Sequence, residues 1–162
     1  MTNAARESTV RTGEPMLLIP ALAPFYAHAR DFSWLIVRLA VGGTLFVHGW
    51  NKLMGAGVAA FASGSLAKRG IEPSLLLAYV VFFNETVGAI CIMLGLFTRV
   101  VAAMIAIELA VITFAVHWPN GYGWTAPGGG WEFPFMWGLL FFAIALRGGG
   151  PYSLDRQLGR EI

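Results

Sequence analysis

SLLLAYVVFFNETVGAICIMLGLF, residues 74–97, is a long apolar segment whose length and composition indicate a membrane-spanning helix. A helix needs about 20 predominantly apolar residues to cross a hydrocarbon core of about 30 Å. The apolar residues form a continuous block here, rather than the spaced pattern of an amphipathic soluble helix. The residues that are most costly in lipid, Asn84 and Glu85, lie near the middle of the segment.

Three other segments, at about 32–50, 99–118 and 131–147, satisfy the same requirement with some slack at their ends. Of all 162 residues, 57% are hydrophobic and 12% are charged, whereas about a quarter of the residues in soluble domains are charged. An open sheet is a poor alternative, because a lipid-exposed strand edge leaves backbone N–H and C=O groups unpaired. We therefore predict an all-α membrane protein, a bundle of four transmembrane helices.

Basic residues are distributed unevenly between the two sides of this predicted bundle. Lys52, Lys68 and Arg69 share one side, and the other side carries Arg6, Arg11, Arg30, Arg99, Arg147, Arg156 and Arg160. Cytoplasmic loops of membrane proteins carry an excess of Lys and Arg, so we expect both termini in the cytoplasm. The basic residues are scattered rather than clustered, which favours this role in topology over a nucleic-acid partner.

The flanking segments set the predicted domain limits. Residues 1–31 are predicted to be a cytoplasmic or interfacial N-terminal segment, because Pro20 and Pro24 each break helical hydrogen bonding. Residues 32–155 form the predicted membrane domain, and residues 156–162 a cytoplasmic tail.

Three charged residues fall inside the predicted helices and away from their ends: Arg38, Glu85 and Glu108. Each ionised residue near the bilayer centre costs roughly 2.5–3.5 kcal/mol to insert, so we expect the three to face one another. One guanidinium balances only one carboxylate, and we therefore expect the cluster to hold one shared proton. Two interpretations stay open at this point: a proton-accepting site inside the membrane, or a structural ion pair that fixes the helix register.

Small residues accompany the charges of the first predicted helix. At 100° per residue, Arg38, Gly42, Gly49 and Lys52 fall on one side of that helix. Small residues let two helix backbones approach closely in a membrane. We predict that this side is the packing face.

Aromatic and histidine residues gather at the predicted outer end. Trp50 is expected in the interfacial aromatic belt, and the Gly-rich loop at 119–130 is expected to cap the bundle. His48, His117 and Glu132 are possible ligands on the same surface, but no pair of them has the i, i+4 spacing of a chelating site on one helix. No metal site is predicted.

Several motifs together are similar to a known family. They are Arg38, the run His48-Gly49-Trp50-Asn51-Lys52-Leu53, Glu85, the run Leu94-Gly95-Leu96-Phe97-Thr98-Arg99, and the close Arg147-Gly148-Gly149-Gly150-Pro151-Tyr152-Ser153-Leu154-Asp155. Over about residues 33–155 the chain resembles the DoxX family. The resemblance implies a four-helix protein of the bacterial inner membrane, related to the membrane subunit of a thiosulfate:quinone oxidoreductase.

The resemblance and the buried charges favour a redox-associated subunit that partners a redox enzyme and binds a quinone or similar lipid-soluble carrier. Glu85, Arg38 and Glu108 are the candidate catalytic residues, because a buried acid can pass protons to a reduced carrier. The candidate carrier-binding residues, near the outer surface, are His48, Lys52, Trp50 and His117. A homo-oligomer is also compatible with the sequence.

Two other functions stay open. The protein is either a scaffold, whose buried charges specify helix pairing and whose loops recruit a soluble enzyme, or a small proton-coupled transporter. Arg38 argues against the transporter, because its charge would hold the carboxylate and repel cations. Catalysis by this chain alone is not expected, since the sequence has no Ser-His-Asp arrangement, CxxC pair or dinucleotide fingerprint.

Overall fold

The structure is a computed structural model that describes residues 17–161, and all regular elements in that range are helices. The first 16 residues of the predicted N-terminal segment, and Ile162, lie outside the described part. The elements, in chain order, are α1 (Ala23–Met54), α2 (Val58–Phe61), α3 (Ser74–Leu94), α4 (Thr98–Asn120), α5 (Glu132–Arg147) and α6 (Leu154–Gln157). Three apolar stretches are long enough to cross a membrane: Pro20–Met54, Ser74–Leu94 and Thr98–Asn120. The all-α prediction is confirmed.

The start of the first helix was predicted wrongly. A 3₁₀ turn at Pro20–Leu22 leads directly into α1, so the predicted boundary at residue 31 falls inside a continuous helix. Pro24 occupies the first turn of α1, where a helix has no intrahelical partner for the backbone N–H that proline lacks. The proline that was expected to prevent a helix instead marks where it begins.

The bundle has two distinct ends. At one end, which we call the clasp end, Trp34 of α1 donates a hydrogen bond from Nε1 to the carbonyl of Gly148, just after α5 (2.9 Å). At the other, the loop end, α1 finishes at Met54 and the turn into α5 begins. The 20 residues from Trp34 to Met54 correspond to about 30 Å of helix, the thickness of a hydrocarbon core.

α1 packs closely against α3 along its glycines. A Cβ atom added at Gly42 would lie 2.9 Å from the carbonyl oxygen of Ala89, and one at Gly49 would lie 2.7 Å from that of Glu85. The predicted small-residue face of α1 is thus confirmed as its contact with α3. Around it the bundle core is formed by Val41, Leu45, Ala89, Ile92, Ala102, Ile105, Leu109, Phe141 and Ile144.

Two membrane-spanning helices depart from regular α geometry. α3 contains a π-helical segment at Asn84–Gly88, and α4 contains one at Ile112–His117. π segments widen the helix locally and often occur at functional sites. In α3 the segment begins with the two polar residues that the sequence placed in mid-membrane, Asn84 and Glu85.

Both loop-end connections are folded. α2, continued by helical turns at Ala62–Leu66 and Ala67–Arg69, packs on α3 through Val58, Ala62, Leu66 and Ala78. In the loop at 119–130, Trp131 stacks on Trp118 at 4.9 Å between ring centroids and meets Tyr122 edge-on. These ring contacts hold the loop against the adjoining ends of α4 and α5.

Candidate functional site

Lys52 and Glu85 form the principal ion pair of the bundle interior. Lys52 Nζ donates to Glu85 Oε2 at 2.5 Å, and their side chains are 18% and 6% exposed. Gly49 makes the pair possible, because its missing side chain lets α1 lie against the backbone of Glu85. Gly49 is about 22 Å of helix from Trp34 but only about 8 Å from Met54. The pair therefore lies in the half of the bundle nearer the loop end.

Glu108 of α4 lies beside this pair and is held by the side chain of Asn84. Asn84 Nδ2 donates to Glu108 Oε2 at 2.8 Å, and both residues are buried. Glu108 also interacts electrostatically with Glu85 and Lys52. We call Lys52, Asn84, Glu85 and Glu108 the polar cluster.

The polar cluster has an approach from the surface. His48, one helical turn before Lys52, is exposed and close enough to Glu85 to interact with its charge. The ring of Phe61, at the end of α2, lies 5.0 Å from Lys52 Nζ in a cation–π contact. The partly exposed lysine is thus flanked by an imidazole and an aromatic ring.

Arg38 does not belong to the polar cluster, so the predicted Arg–Glu–Glu arrangement is wrong. Its Nη1 donates to the carbonyls of Ile92 and Met93, at 3.3 and 3.5 Å, and its Nη2 donates to the carbonyl of Tyr152. The first two carbonyls belong to the last turn of α3, where unpaired carbonyls and the helix dipole attract a cation. Backbone oxygen atoms, rather than carboxylates, hold the guanidinium.

Asp155 makes the complementary contact at the start of α4. Its carboxylate accepts hydrogen bonds from the backbone N–H of Phe97 (2.7 Å) and of Thr98 (2.9 Å), and from the Thr98 hydroxyl (2.6 Å). An anion is favoured at a helix N-terminus for the same reason that a cation is favoured at the other end. Arg38 and Asp155 therefore cap the two helices that meet at this turn.

Gly95 completes this structure, which we call the clasp: Arg38, Gly95, Tyr152 and Asp155. Gly95 ends α3 in the left-handed conformation (φ 69°), and any side chain there would collide with Arg38 and Ser153. Its carbonyl accepts from the backbone N–H of Asp155 at 2.9 Å. The end of the predicted membrane domain is thus tied to α3. Within the predicted tail, Glu161 accepts a hydrogen bond from the backbone N–H of Gly149 at 2.7 Å.

The two remaining site candidates are not brought to the polar cluster. Trp50 is 46% exposed and stacks on Phe46, on a side of α1 well away from Lys52. His117 shares a hydrogen bond between Nδ1 and the carbonyl of Gly129 (2.8 Å). The described contacts of Trp50 suit an interfacial tryptophan, and that of His117 fastens the loop at 119–130.

The largest cavity described is a groove of about 670 Å³ between α4 and α5. It is lined by apolar and small residues such as Ala103, Ala106 and Phe142. Ala103 and Ala106 lie on the face of α4 opposite Glu108, by the 100° rotation per residue of an α-helix. The groove and the polar cluster are therefore separate features.

Sequence reasoning identified both glutamates but missed their partners. Asn84 was noticed only as a costly residue, and Lys52 was named as a carrier-binding candidate but not as the partner of Glu85. A usable signal for Lys52 was its place on the same helix face as Gly49, which packs on Glu85. For Asn84 the signal was its depth, close to that of Glu108.

Comparison with known proteins agrees with the resemblance seen in the sequence motifs. A family model described as DoxX matches residues 33–118. A Haemophilus influenzae protein named "Uncharacterized protein" is 30% identical over 133 residues, or 82% of this chain and 95% of that protein. The Bacillus subtilis "Putative oxidoreductase CatD" is 31% identical over 127 residues, or 77% of this chain and 86% of that protein. No solved structure gives a significant match.

The family match extends over more than half of the chain, from the first helix to the end of α4. It includes Arg38 and Gly95 of the clasp and all four residues of the polar cluster. Together with three apolar helices of sufficient length, it makes the protein a multi-pass membrane protein, consistent with the bacterial inner membrane. The chain is a member of the DoxX family.

Proposed function

We propose that this protein is the membrane component of a redox system and that its polar cluster binds a quinone or similar lipid-soluble carrier. A separate redox enzyme supplies the electrons. The observation that carries the proposal is the ion pair of Lys52 and Glu85, joined through Asn84 to the buried Glu108. The similarity to a relative named as an oxidoreductase supports a redox role.

The residues present suit a quinone head group. Such a carrier takes up electrons and protons together when it is reduced to the quinol. Lys52 has three donor hydrogens, only one of which is used for Glu85, and exposed His48 supplies a second donor for a carbonyl oxygen. Glu85 and Glu108 are buried acids that can hold and release protons. Two oxygen atoms of the polar cluster, Glu108 Oε1 and Asn84 Oδ1, are buried without a hydrogen-bond partner among the described residues.

We further propose that α5 is a fourth crossing. Its 16 residues correspond to about 24 Å, and its two ends contact opposite ends of the bundle. Trp131, just before α5, stacks on Trp118 at the loop end, and Arg147 stacks on Trp34 at the clasp end, 4.4 Å from the ring centroid. The excess of arginine at the clasp end supports our proposal that this end and both termini face the cytoplasm.

A binding titration tests the proposed function. The purified protein is titrated with a short-chain quinone in detergent, alongside Glu85→Gln and the control Thr44→Val, which removes an exposed hydroxyl bonded only within α1. We expect Glu85→Gln to bind at least about tenfold more weakly, a change of about 1.4 kcal/mol, and Thr44→Val to bind normally. Equal affinity in all three proteins, or no binding in any, would contradict the proposal.

A non-catalytic scaffold is the competing function, and one observation favours it. Arg38, one of the three candidate catalytic residues, bonds backbone carbonyls at the end of α3 and after α5 instead. The scaffold hypothesis predicts that neutralising both Lys52 and Glu85 leaves the redox phenotype of cells intact. The carrier hypothesis predicts that the phenotype is lost.

A further inference from the structure

The hydrogen bond between Asn84 and Glu108 leaves an unusual pair of atoms without partners. Asn84 Nδ2 donates to Glu108 Oε2, and the other oxygens of the two groups, Asn84 Oδ1 and Glu108 Oε1, are buried and unpartnered among the described residues. If Glu108 were ionised, both of these atoms would be acceptors only. Two buried acceptors side by side, with no donor, are costly.

The charges around Glu108 also make its ionised form costly. The cation that interacts with it is Lys52, and Lys52 is already paired with Glu85 at 2.5 Å. α5, which packs on α4, carries no titratable residue between its end residues Glu132 and Arg147. An ionised Glu108 would therefore be an unbalanced charge in the membrane interior, which is expensive.

We propose that Glu108 is a neutral carboxylic acid that pairs with the carboxamide of Asn84 through two hydrogen bonds. The amide N–H donates to Glu108 Oε2, and the acid O–H on Oε1 donates to Asn84 Oδ1. One proton thus satisfies both unpartnered oxygens and removes the unbalanced charge. Beside Glu85 and Lys52, this pair is a store for one proton; its use in reducing a carrier rests on the proposed function.

Infrared spectroscopy tests the pair directly in quinone-free protein near pH 7. The C=O stretch of a protonated carboxylic acid lies above the amide I band and shifts in D₂O. We expect this band in the natural protein, its loss in Glu108→Gln and its retention in Glu85→Gln. Glu108→Gln is expected to fold normally, because a glutamine amide repeats both hydrogen bonds with Asn84 without a charge. In Asn84→Leu, where it folds, the band should move to higher frequency because the acid loses its partner.

Two results would overturn the proposal: loss of ionised-carboxylate bands in Glu108→Gln, or an acid band removed by Glu85→Gln instead. The outcome is separable from that of the proposed function, because the spectra need no carrier. An acid band assigned to Glu108, combined with unchanged quinone affinity in Glu85→Gln, would sustain the proton store and reject the carrier site. If no acid band is assigned to Glu108 and Glu85→Gln binds quinone more weakly, the proton store alone is rejected.

Discussion

The clasp and the polar cluster each bury a cation and at least one carboxylate, but they use them differently. In the clasp, Arg38 and Asp155 are bonded mainly to backbone groups at the ends of α3 and α4. In the polar cluster, side chains pair with side chains, and Lys52 remains partly exposed next to an exposed histidine. Charges fixed by backbone groups have little freedom to exchange protons or partners. Charges that pair only with each other keep that freedom.

On this difference we base the proposal that the clasp serves the structure and the polar cluster serves the chemistry of the protein. Arg38 and Asp155 supply side-chain partners to backbone groups at the end of α3 and the start of α4. Gly95 leaves the space that Arg38 occupies there. The polar cluster caps no helix end and pairs side chains with side chains instead. Its cost in the membrane is better explained by function than by folding.

Replacing Arg38 should produce the largest effect on stability. Arg38→Met removes the cation from the carbonyls at the end of α3 and after α5, and from the nearby charge of Asp155. We therefore expect a loss of about 4 kcal/mol in the free energy of unfolding. Unfolding in a detergent titration, followed by circular dichroism, measures the change. A variant that folds with unaltered stability would show that the clasp is dispensable.

Removing one partner of the Lys52–Glu85 pair should have a smaller effect. Lys52→Met leaves a buried carboxylate without its cation, and we expect a loss of about 3 kcal/mol. Adding Glu85→Gln should recover at least half of that loss, because it removes the unpaired charge. Additive effects of the two changes, measured in the same titration, would mean that the pair is not coupled.

Substitutions at the glycines of α1 should have the smallest effect on stability, and Gly43 offers a matched control for Gly49. Gly49→Ala places a Cβ against the backbone of Glu85 and should cost about 2 kcal/mol by overpacking. At Gly43 a Cβ would lie 3.9 Å from Met93 Sδ, an ordinary contact. Gly43→Ala should therefore stabilise the helix by about 0.5–1 kcal/mol. Melting temperatures that move in the same direction for both variants would contradict the packing described here.

The sequence was sufficient to predict an all-α membrane protein and the packing face of α1. Length and apolar content define a spanning helix, and the Gly42–Gly49 spacing defines one face, because both depend on regular geometry. It was not sufficient to find the partner of Arg38. We considered only carboxylates as partners, whereas the carbonyls at the end of α3 and after α5 carry no mark in the sequence.

The polar cluster was only half predictable, for a related reason. A rotation of 100° per residue assumes an α-helix, and the π-helical segment at Asn84–Gly88 changes which residues face α1 and α4. The two glutamates were recognisable because their charge is costly in lipid. The roles of Asn84 and Lys52 depended on local geometry that appears only in the folded chain.

The most direct test of the division between the two regions compares bound carrier with stability. Native mass spectrometry of gently extracted protein reports bound quinone, and thermal unfolding is measured on the same preparations. Our account predicts that Asp155→Asn melts at a lower temperature but keeps its quinone, whereas the double variant Lys52→Met with Glu85→Gln stays folded and loses it. Loss of quinone from Asp155→Asn with full retention by the double variant would contradict the account.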